Sequence, residues 1–279
     1  MDLEVGMAKR YCLLKGRVKC LTVIEKNKAN VEERPDGFFK SLFIEIFALP
    51  LTILLLLYMM IKEITITLFA SKTRQRKLIK GTYFSCYVGT IQVEGKLEHI
   101  IFKNDDYVEM VVELIEKNKY YAYAVRMPKC HALFFPEGNC SSTLGLFKAC
   151  LFVCCLLILP YICFMIIAIF DDGSDLIFIT LLFLVIYVCS VVSCFILFGM
   201  RSTFLNNRIY ATLGYRNSWR HMHAEEDYKF REMNRKRDPM LFNDPQTPEF
   251  KKRINANYAY NYYVRTPKLP QEVEIIDES

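Results

Sequence analysis

The chain has 279 residues, 53% of them hydrophobic and 24% charged, with a formal net charge of +6 and a mean hydropathy of +0.16. A quarter of the residues are charged and the mean is still apolar, so the apolar residues must be held in blocks; this excludes disordered, collagen-like and coiled-coil chains. Eleven cysteines in 279 residues are too dilute for a disulfide scaffold, and the composition predicts an integral membrane protein with modest water-facing parts.

In chain order, residues 1–37 form an N-terminal tail carrying one candidate strand, Gly16-Arg17-Val18-Lys19-Cys20-Leu21. Residues 38–70 are a first membrane segment, apolar from about Ser41 to Ile61 and again to Ala70, with Glu45 near its start and Pro50 inside it. A single kinked span and a re-entrant segment both fit this block. A carboxylate in lipid is costly unless it lies near the headgroups, which is where a position one or two turns inside the boundary puts Glu45. The block starts some forty residues in and lacks a small-residue cleavage pattern, so it does not read as a signal peptide. The basic run that follows, with Lys72, Arg74, Arg76 and Lys77, is expected against anionic headgroups, at about 1 kcal/mol per basic residue, rather than on nucleic acid.

Residues 71–145 read as a small cytoplasmic β-domain, an antiparallel sheet of four or five strands. The β-branched and aromatic runs are Thr82–Val93, His99–Phe102, Tyr107–Ile115 and Tyr120–Val125. Turn-type clusters separate them: Glu94-Gly95, Asn104-Asp105-Asp106 and Glu116-Lys117-Asn118. Val108, Met110 and Val112 alternate with Glu109, Val111 and Glu113, which predicts one buried face. So small a sheet needs a lid, either the N-terminal strand or the membrane surface.

Residues 146–200 are predicted to be a transmembrane helical hairpin. Ala149 to Phe170 and Leu176 to Met200 carry no charge over 22 and 25 residues, each more than the roughly 20 a helix needs to cross a bilayer. The link Asp171-Asp172-Gly173-Ser174-Asp175 is too short for anything but an antiparallel return, and Pro160 should kink the first helix. The fold class is therefore an α+β membrane protein: this hairpin, one further apolar helix and the small sheet.

Residues 201–279 form a cytoplasmic tail: a helix Phe204–Leu213 closed by Gly214, then extended segments packed on the sheet, with Tyr258, Tyr260, Tyr262 and Tyr263 clustered. The acidic link belongs outside, while Arg201, Arg208, Arg216 and Arg220, and eleven Lys plus Arg in residues 71–145, mark the cytoplasmic side. A single first span then leaves residues 1–37 outside despite eight Lys plus Arg, a conflict that favours the re-entrant form.

The residues that might carry chemistry do little to suggest it. Cys150, Cys154, Cys155, Cys163, Cys189 and Cys194 fall in the predicted spans, where cysteine packs as a small hydrophobe. Cys130 and Cys140 stay reduced in a cytosol, and no CxxC pair is present. His221-Met222-His223 with Glu225 and Glu226 is the one His/carboxylate cluster; a solvated polar turn is favoured there over a metal site. Asn139-Cys140-Ser141 has the form of a glycosylation acceptor but lies against a span, and Asn104-Asp105-Asp106 reads as a hairpin turn rather than a cation loop. No phosphate-binding, dinucleotide, serine-hydrolase or zinc-protease motif occurs. No residue is assigned as catalytic, cofactor-binding or metal-ligating, and the expectation is a non-enzyme without cofactors.

The run from His99 to Val111, with Phe102, Asp106, Val108 and Glu109, resembles an H-I-x-F-x-x-G-D-x-V-E-V-V stretch of bacterial membrane proteins assigned as type VI secretion system effectors. The resemblance continues through Tyr121–Pro128 and an apolar region to Ile209–Ser218, similar to I-F-A-T-L-G-x-x-N-P, and Leu14–Val18 is similar to the family's first strand, L-S-G-K-I. It covers some 200 residues in order. Asp105 stands where the family has a turn glycine, Ser218 where it has proline, and Lys129-Cys130 where it has Asp-Arg. The resemblance implies a multi-pass protein of the bacterial inner membrane engaged in interbacterial competition: an effector acting on membranes without bond-breaking chemistry, or the immunity protein that blocks such a toxin. A housekeeping membrane scaffold whose β-domain docks a cytosolic protein is the reading from another class.

Overall fold

The computed structural model describes residues 11–24, 58–65, 79–136, 141–156, 176–245, 247, 250 and 261–278. At its centre are β1 (Cys12–Ile24), β2 (Thr82–Val88), β3 (Ile91–Leu97), β4 (Tyr107–Glu116) and β5 (Lys119–Met127), all rich in the β-branched and aromatic residues that suit a pleated surface. Two-residue turns join β2 to β3 and β4 to β5; in the latter Asn118 has φ 60, which asparagine tolerates.

β1 serves two neighbours. Its first half, Cys12–Arg17, pairs with β4, and its second half, Val18–Ile24, with β2. The strand can turn from one to the other because its register slips between Lys19 and Thr22, with Cys20 at φ 51; a bulge bends a strand and leaves a backbone group unpaired. The Asn104 side chain accepts a hydrogen bond from the backbone N–H of Leu21 at 2.9 Å within that irregularity.

The ring is completed by β3 pairing in parallel with β5, Gln92–Gly95 against Lys119–Ala122. The strand order 1-2-3-5-4 returning to 1, with that one parallel seam, is the connectivity of OB-type barrels. Gly95 allows the seam: a Cβ there would lie 2.7 Å from the Ala122 carbonyl oxygen and 2.8 Å from the Phe84 ring. Gly95→Val is accordingly expected to cost about 1–3 kcal/mol or more by overpacking, read as a lowered Tm of the detergent-purified chain; an unchanged Tm would contradict the seam.

Leu14, Val18, Phe84, Val93, Met110 and Val112 fill the barrel, and Phe102 meets Phe84 edge-to-face at 5.4 Å. Outside it lies a second core, in which Leu13, Val111 and Tyr123 meet Ile209, Tyr210 and Tyr263. β6 (Ala132–Phe134) pairs with β5, β7 (Asn261–Tyr262) with β6, and β8 (Ile275–Glu278) runs parallel to Leu13–Gly16. The helices α1 (Thr143–Leu156), α2 (Leu176–Thr212), α3 (His223–Lys236) and α4 (Pro239–Phe242) follow the barrel strands in the chain. Residues 58–65 are also helical.

The chain divides into two units. Residues 1–27, 76–145 and 202–279 make the barrel unit; residues 28–75 and 146–201 make an apolar unit. α2 is broken at Gly199, where the backbone leaves helical geometry. Within the apolar unit α1 meets α2 through Phe147 and Phe195 (6.4 Å between rings), Cys154 and Cys194 (3.8 Å between sulfurs) and Cys155 and Tyr187 (3.2 Å). Beyond Gly199, Thr203, Asn206, Ile209 and Tyr210 are buried in the barrel unit, where the Asn206 amide donates to the Ser141 carbonyl. Gly214 (φ +91) then turns the chain so tightly that a Cβ there would lie 2.4 Å from the Lys268 carbonyl oxygen.

Several expectations are corrected by this fold. The small sheet is a closed five-stranded barrel, and the N-terminal strand is one of its staves rather than a lid. His99–Phe102 is not a strand, Thr82–Val93 covers two, and Gly95 sits inside β3 rather than in a turn. The expected transmembrane hairpin plus a further apolar helix is overturned: among the described residues one helix, Tyr187–Thr212, is long and apolar enough to cross a membrane. The described part of α1 has 14 residues, about 21 Å of rise, against the roughly 30 Å of a hydrocarbon core. The first membrane segment outside 58–65, the remainder of the Ala149–Phe170 run with Pro160, the Asp171–Asp175 link, Lys72–Lys77, Asn139-Cys140 and Tyr258 and Tyr260 lie outside the described residues.

Candidate functional site

The residues expected to form a solvated turn are instead drawn into the barrel unit. After α2 and Gly214 the chain passes Tyr215, bends at Asn217 (φ 54) and reaches Met222, which is extended. Side chains two apart across an extended residue leave on the same side, so His221 and His223 face one way. His223 also starts α3, and Glu226, three residues on, shares its face. A carboxylate in the first turn suits the positive end of the helix dipole.

These three side chains converge. Glu226 Oε2 lies 3.2 Å from His221 Nε2 and 3.9 Å from His223 Nδ1, and one ligand atom of each residue falls within 4.8 Å of the others. The other Glu226 oxygen, Oε1, accepts the backbone N–H of Val264 at 3.1 Å, which orients the carboxylate. Aromatic rings wall the group: Tyr210 lies 4.6 Å from the His221 ring, Tyr215 4.1 Å from it, and Phe135 meets His223 edge-on at 5.7 Å.

His223 is 2% exposed, and neither of its ring nitrogens has a hydrogen-bond partner. Burial pushes it down to about 4, against a smaller opposing pull from the Glu226 carboxylate, so the imidazole is neutral near pH 7 with a lone pair to give. The Tyr215 hydroxyl is also buried and without a hydrogen-bond partner, and burial keeps it protonated well above the usual phenol range. A buried polar group left unsatisfied costs on the order of 1–3 kcal/mol. His131 shows the contrasting case in the same unit: its Nδ1 meets the Tyr263 carbonyl oxygen at 3.2 Å and its Nε2 the Thr247 hydroxyl at 2.6 Å, with the ring stacked on Tyr263. His131 is a satisfied structural histidine; His223 is not.

A second polar group is embedded in the outer face of the barrel. Lys15, Glu109 and Arg126 are in register across β1, β4 and β5. Arg126, 1% exposed, sets Nη2 2.5 Å from Glu109 Oε2, and Lys15 Nζ lies 3.2 Å from Glu109 Oε1. Nearby the Tyr123 hydroxyl donates to Glu113 at 2.8 Å. The strand with one predicted buried face thus has two, because the end of α2 and the C-terminal segment cover Glu109 and Glu113.

The strand 2–3 face, which binds ligands in OB barrels, has its polar groups occupied internally. Glu94 accepts from the Tyr83 hydroxyl at 3.0 Å and pairs with Lys119 at 3.1 Å, while Lys96 donates to the Ile79 carbonyl. Connectivity alone assigns no ligand, and these contacts leave that face without a basic stripe.

Asn104, Asp105 and Asp106 do what turn residues do. Asp106 Oδ2 accepts from the Lys103 N–H at 2.8 Å, Asp105 has φ 70, and Asn104 bonds the irregular segment of β1. Asn104→Ala and Asp106→Ala should each lower stability by about 1 kcal/mol and abolish no reaction; a lost hydrolytic activity would contradict that assignment. His99 is exposed, with Glu98 4.0 Å from it.

The sequence displays His221, His223 and Glu226 together, but Phe135, Tyr210, Tyr215 and Arg126 carry no local signal of their roles. A pattern of His-x-His-x-x-Glu entering a helix is the one clue available. Compared with protein-family models, with curated proteins and with solved structures, the chain matches none.

Proposed function

We propose that the chain is a membrane-anchored protein whose barrel unit works in water, and that it acts on membranes in type VI secretion-associated competition between bacteria, without bond-breaking chemistry. One observation carries the anchor: in the most apolar stretch of the described helix only 11% of the residues are buried within the protein. Leu181, Leu184, Val185, Val188, Val192 and Phe198 are all exposed. An apolar surface of this kind favours an apolar solvent. From Leu176 to the break at Gly199 α2 rises about 35 Å, enough for a hydrocarbon core.

The competition setting rests on the resemblance. The segments that carry it, 99–111, 121–128 and 209–218, meet in the barrel unit, where Val111, Tyr121 and Ile209 share one core. Arg201, Arg208, Arg216 and Arg220 favour the cytoplasmic face of the inner membrane for that unit, and Lys72, Arg74, Arg76 and Lys77 are proposed to lie against anionic headgroups.

Alkaline carbonate extraction tests the anchor: the full chain should stay in the membrane pellet, and recovery in the wash would refute it. Expression in a susceptible host with a potential-sensitive dye tests the role. An effector depolarises the cells. An immunity protein protects them from a co-expressed neighbouring toxin, and a chain that does neither is a scaffold, which would sink the competition reading.

A further inference from the structure

We propose that His221, His223 and Glu226 are the protein ligands of a buried divalent transition-metal site, with Zn²⁺ as the occupant, that ties the start of α3 to the chain leaving α2. The residue types come first. Two imidazoles and one carboxylate are a donor set for zinc, and among the described residues no other group of three His, Cys, Asp or Glu side chains gathers in this way.

The distances agree with that chemistry. Ligands at about 2.0–2.1 Å from a tetrahedral zinc lie about 3.3–3.4 Å from one another, against 3.2 Å and 3.9 Å for the two pairs that share Glu226 Oε2. A metal would leave the His221–Glu226 pair almost where it is and draw His223 inward, the three ligand atoms lying within 4.8 Å of one another.

The second observation is independent of spacing. His223 is deeply buried with both ring nitrogens unpartnered, and one of them, Nδ1, faces the carboxylate. A histidine retained only for packing looks like His131, which fills both nitrogens from the protein. An ion pair of His221 with Glu226 would account for two residues and leave His223 unexplained. A metal satisfies all three. It also gives the Glu226–Val264 hydrogen bond a purpose, since metal-bound carboxylates are held in place by such outer contacts.

The donor set is also that of non-haem iron centres, but those keep several positions open. Phe135, Tyr210 and Tyr215 pack their rings around this one, which holds His223 out of solvent and leaves His221 and Glu226 half-buried. The enclosure argues for a structural site whose loss loosens the α2–α3 connection.

Eleven cysteines would also take up zinc, so the test must read ligand type. The full chain is purified in detergent, stripped with chelator and titrated with Zn²⁺ or Co²⁺. One metal per chain is expected, with an X-ray absorption first shell of nitrogen and oxygen showing imidazole scattering, and a Tm raised by metal. Glu226→Gln keeps the shape and the Val264 hydrogen bond; it should weaken binding by more than the roughly 10–100-fold that loss of an outer-shell partner costs. His223→Gln should do the same. Should His223→Gln fail to fold, Glu226→Gln and the wild-type absorption spectrum decide. A folded wild-type chain that binds no metal at tens of micromolar overturns the proposal. So does a sulfur first shell, or undiminished binding in Glu226→Gln.

Discussion

Glu109→Gln is expected to destabilise the chain by about 3–5 kcal/mol, the cost of leaving one partner of a buried ion pair without the other. The guanidinium of Arg126 lies on the outer face of the barrel at 1% exposure, and Glu109 is the carboxylate against it. The Tyr263 ring, 5.9 Å away, offers the guanidinium only a weak cation–π contact. Removing the carboxylate strands a buried positive charge that cannot shed its proton. Lys15 is better exposed and can turn to water, so its loss should cost far less.

The double variant Glu109→Leu with Arg126→Met removes both charges and should recover most of the loss, because buried ion pairs replaced by apolar residues are often neutral or better. Denaturant titrations of the purified wild type, the single and the double variant decide the matter. A loss below about 1 kcal/mol in Glu109→Gln would mean that the pair is not buried as described.

Acid is expected to weaken the fold through its buried histidines. Burial lowers His131 from 6.5 and lowers His223 to about 4. A histidine whose folded value is depressed binds fewer protons in the native state than in the unfolded one. Stability is therefore fullest above about pH 6.5 and is lost as pH falls toward the folded values, by about 1.4 kcal/mol per pH unit for each such group. For His223 the window runs from about 6.5 to about 4, or some 3 kcal/mol in all. Unfolding measured on chelator-treated protein across this range should show that slope; a flat profile would contradict two buried neutral imidazoles.

Local patterns were good at finding elements and poor at closing them. The β-branched runs at Tyr107–Ile115 and Tyr120–Val125 correspond to β4 and β5, since period and residue type are local properties. The seam between β3 and β5 leaves no such trace. It depends on Gly95 meeting Ala122, a contact that makes sense only once Phe84 occupies the barrel interior. For the same reason Gly95 looks like a turn residue in the sequence and proves to be a close-approach residue in a strand.

The site follows the same logic. A stretch reading His-Met-His-Ala-Glu-Glu-Asp is polar enough to pass for a surface turn. What buries it is Phe135 just after β6 and Tyr210 near the end of α2, one of them more than eighty residues away in the chain. Glu109 and Glu113 mislead likewise: alternation with Met110 and Val112 implies a wet face, and the second core removes the water.

What the sequence by itself determined is the blockwise separation of apolar from charged residues, and with it one long apolar helix and a set of strands with a buried face. The tertiary structure alone decided that those strands form a ring, that α2 changes role at Gly199, and that a carboxylate–guanidinium pair and two imidazoles lie out of solvent. The reason is physical: hydrophobic periodicity is a property of neighbours a few residues apart, whereas closure and burial arise from segments that meet only after the chain has folded back, from Gln92 to Lys119 at the β3–β5 seam and from Phe135 to His223 at the histidine cluster.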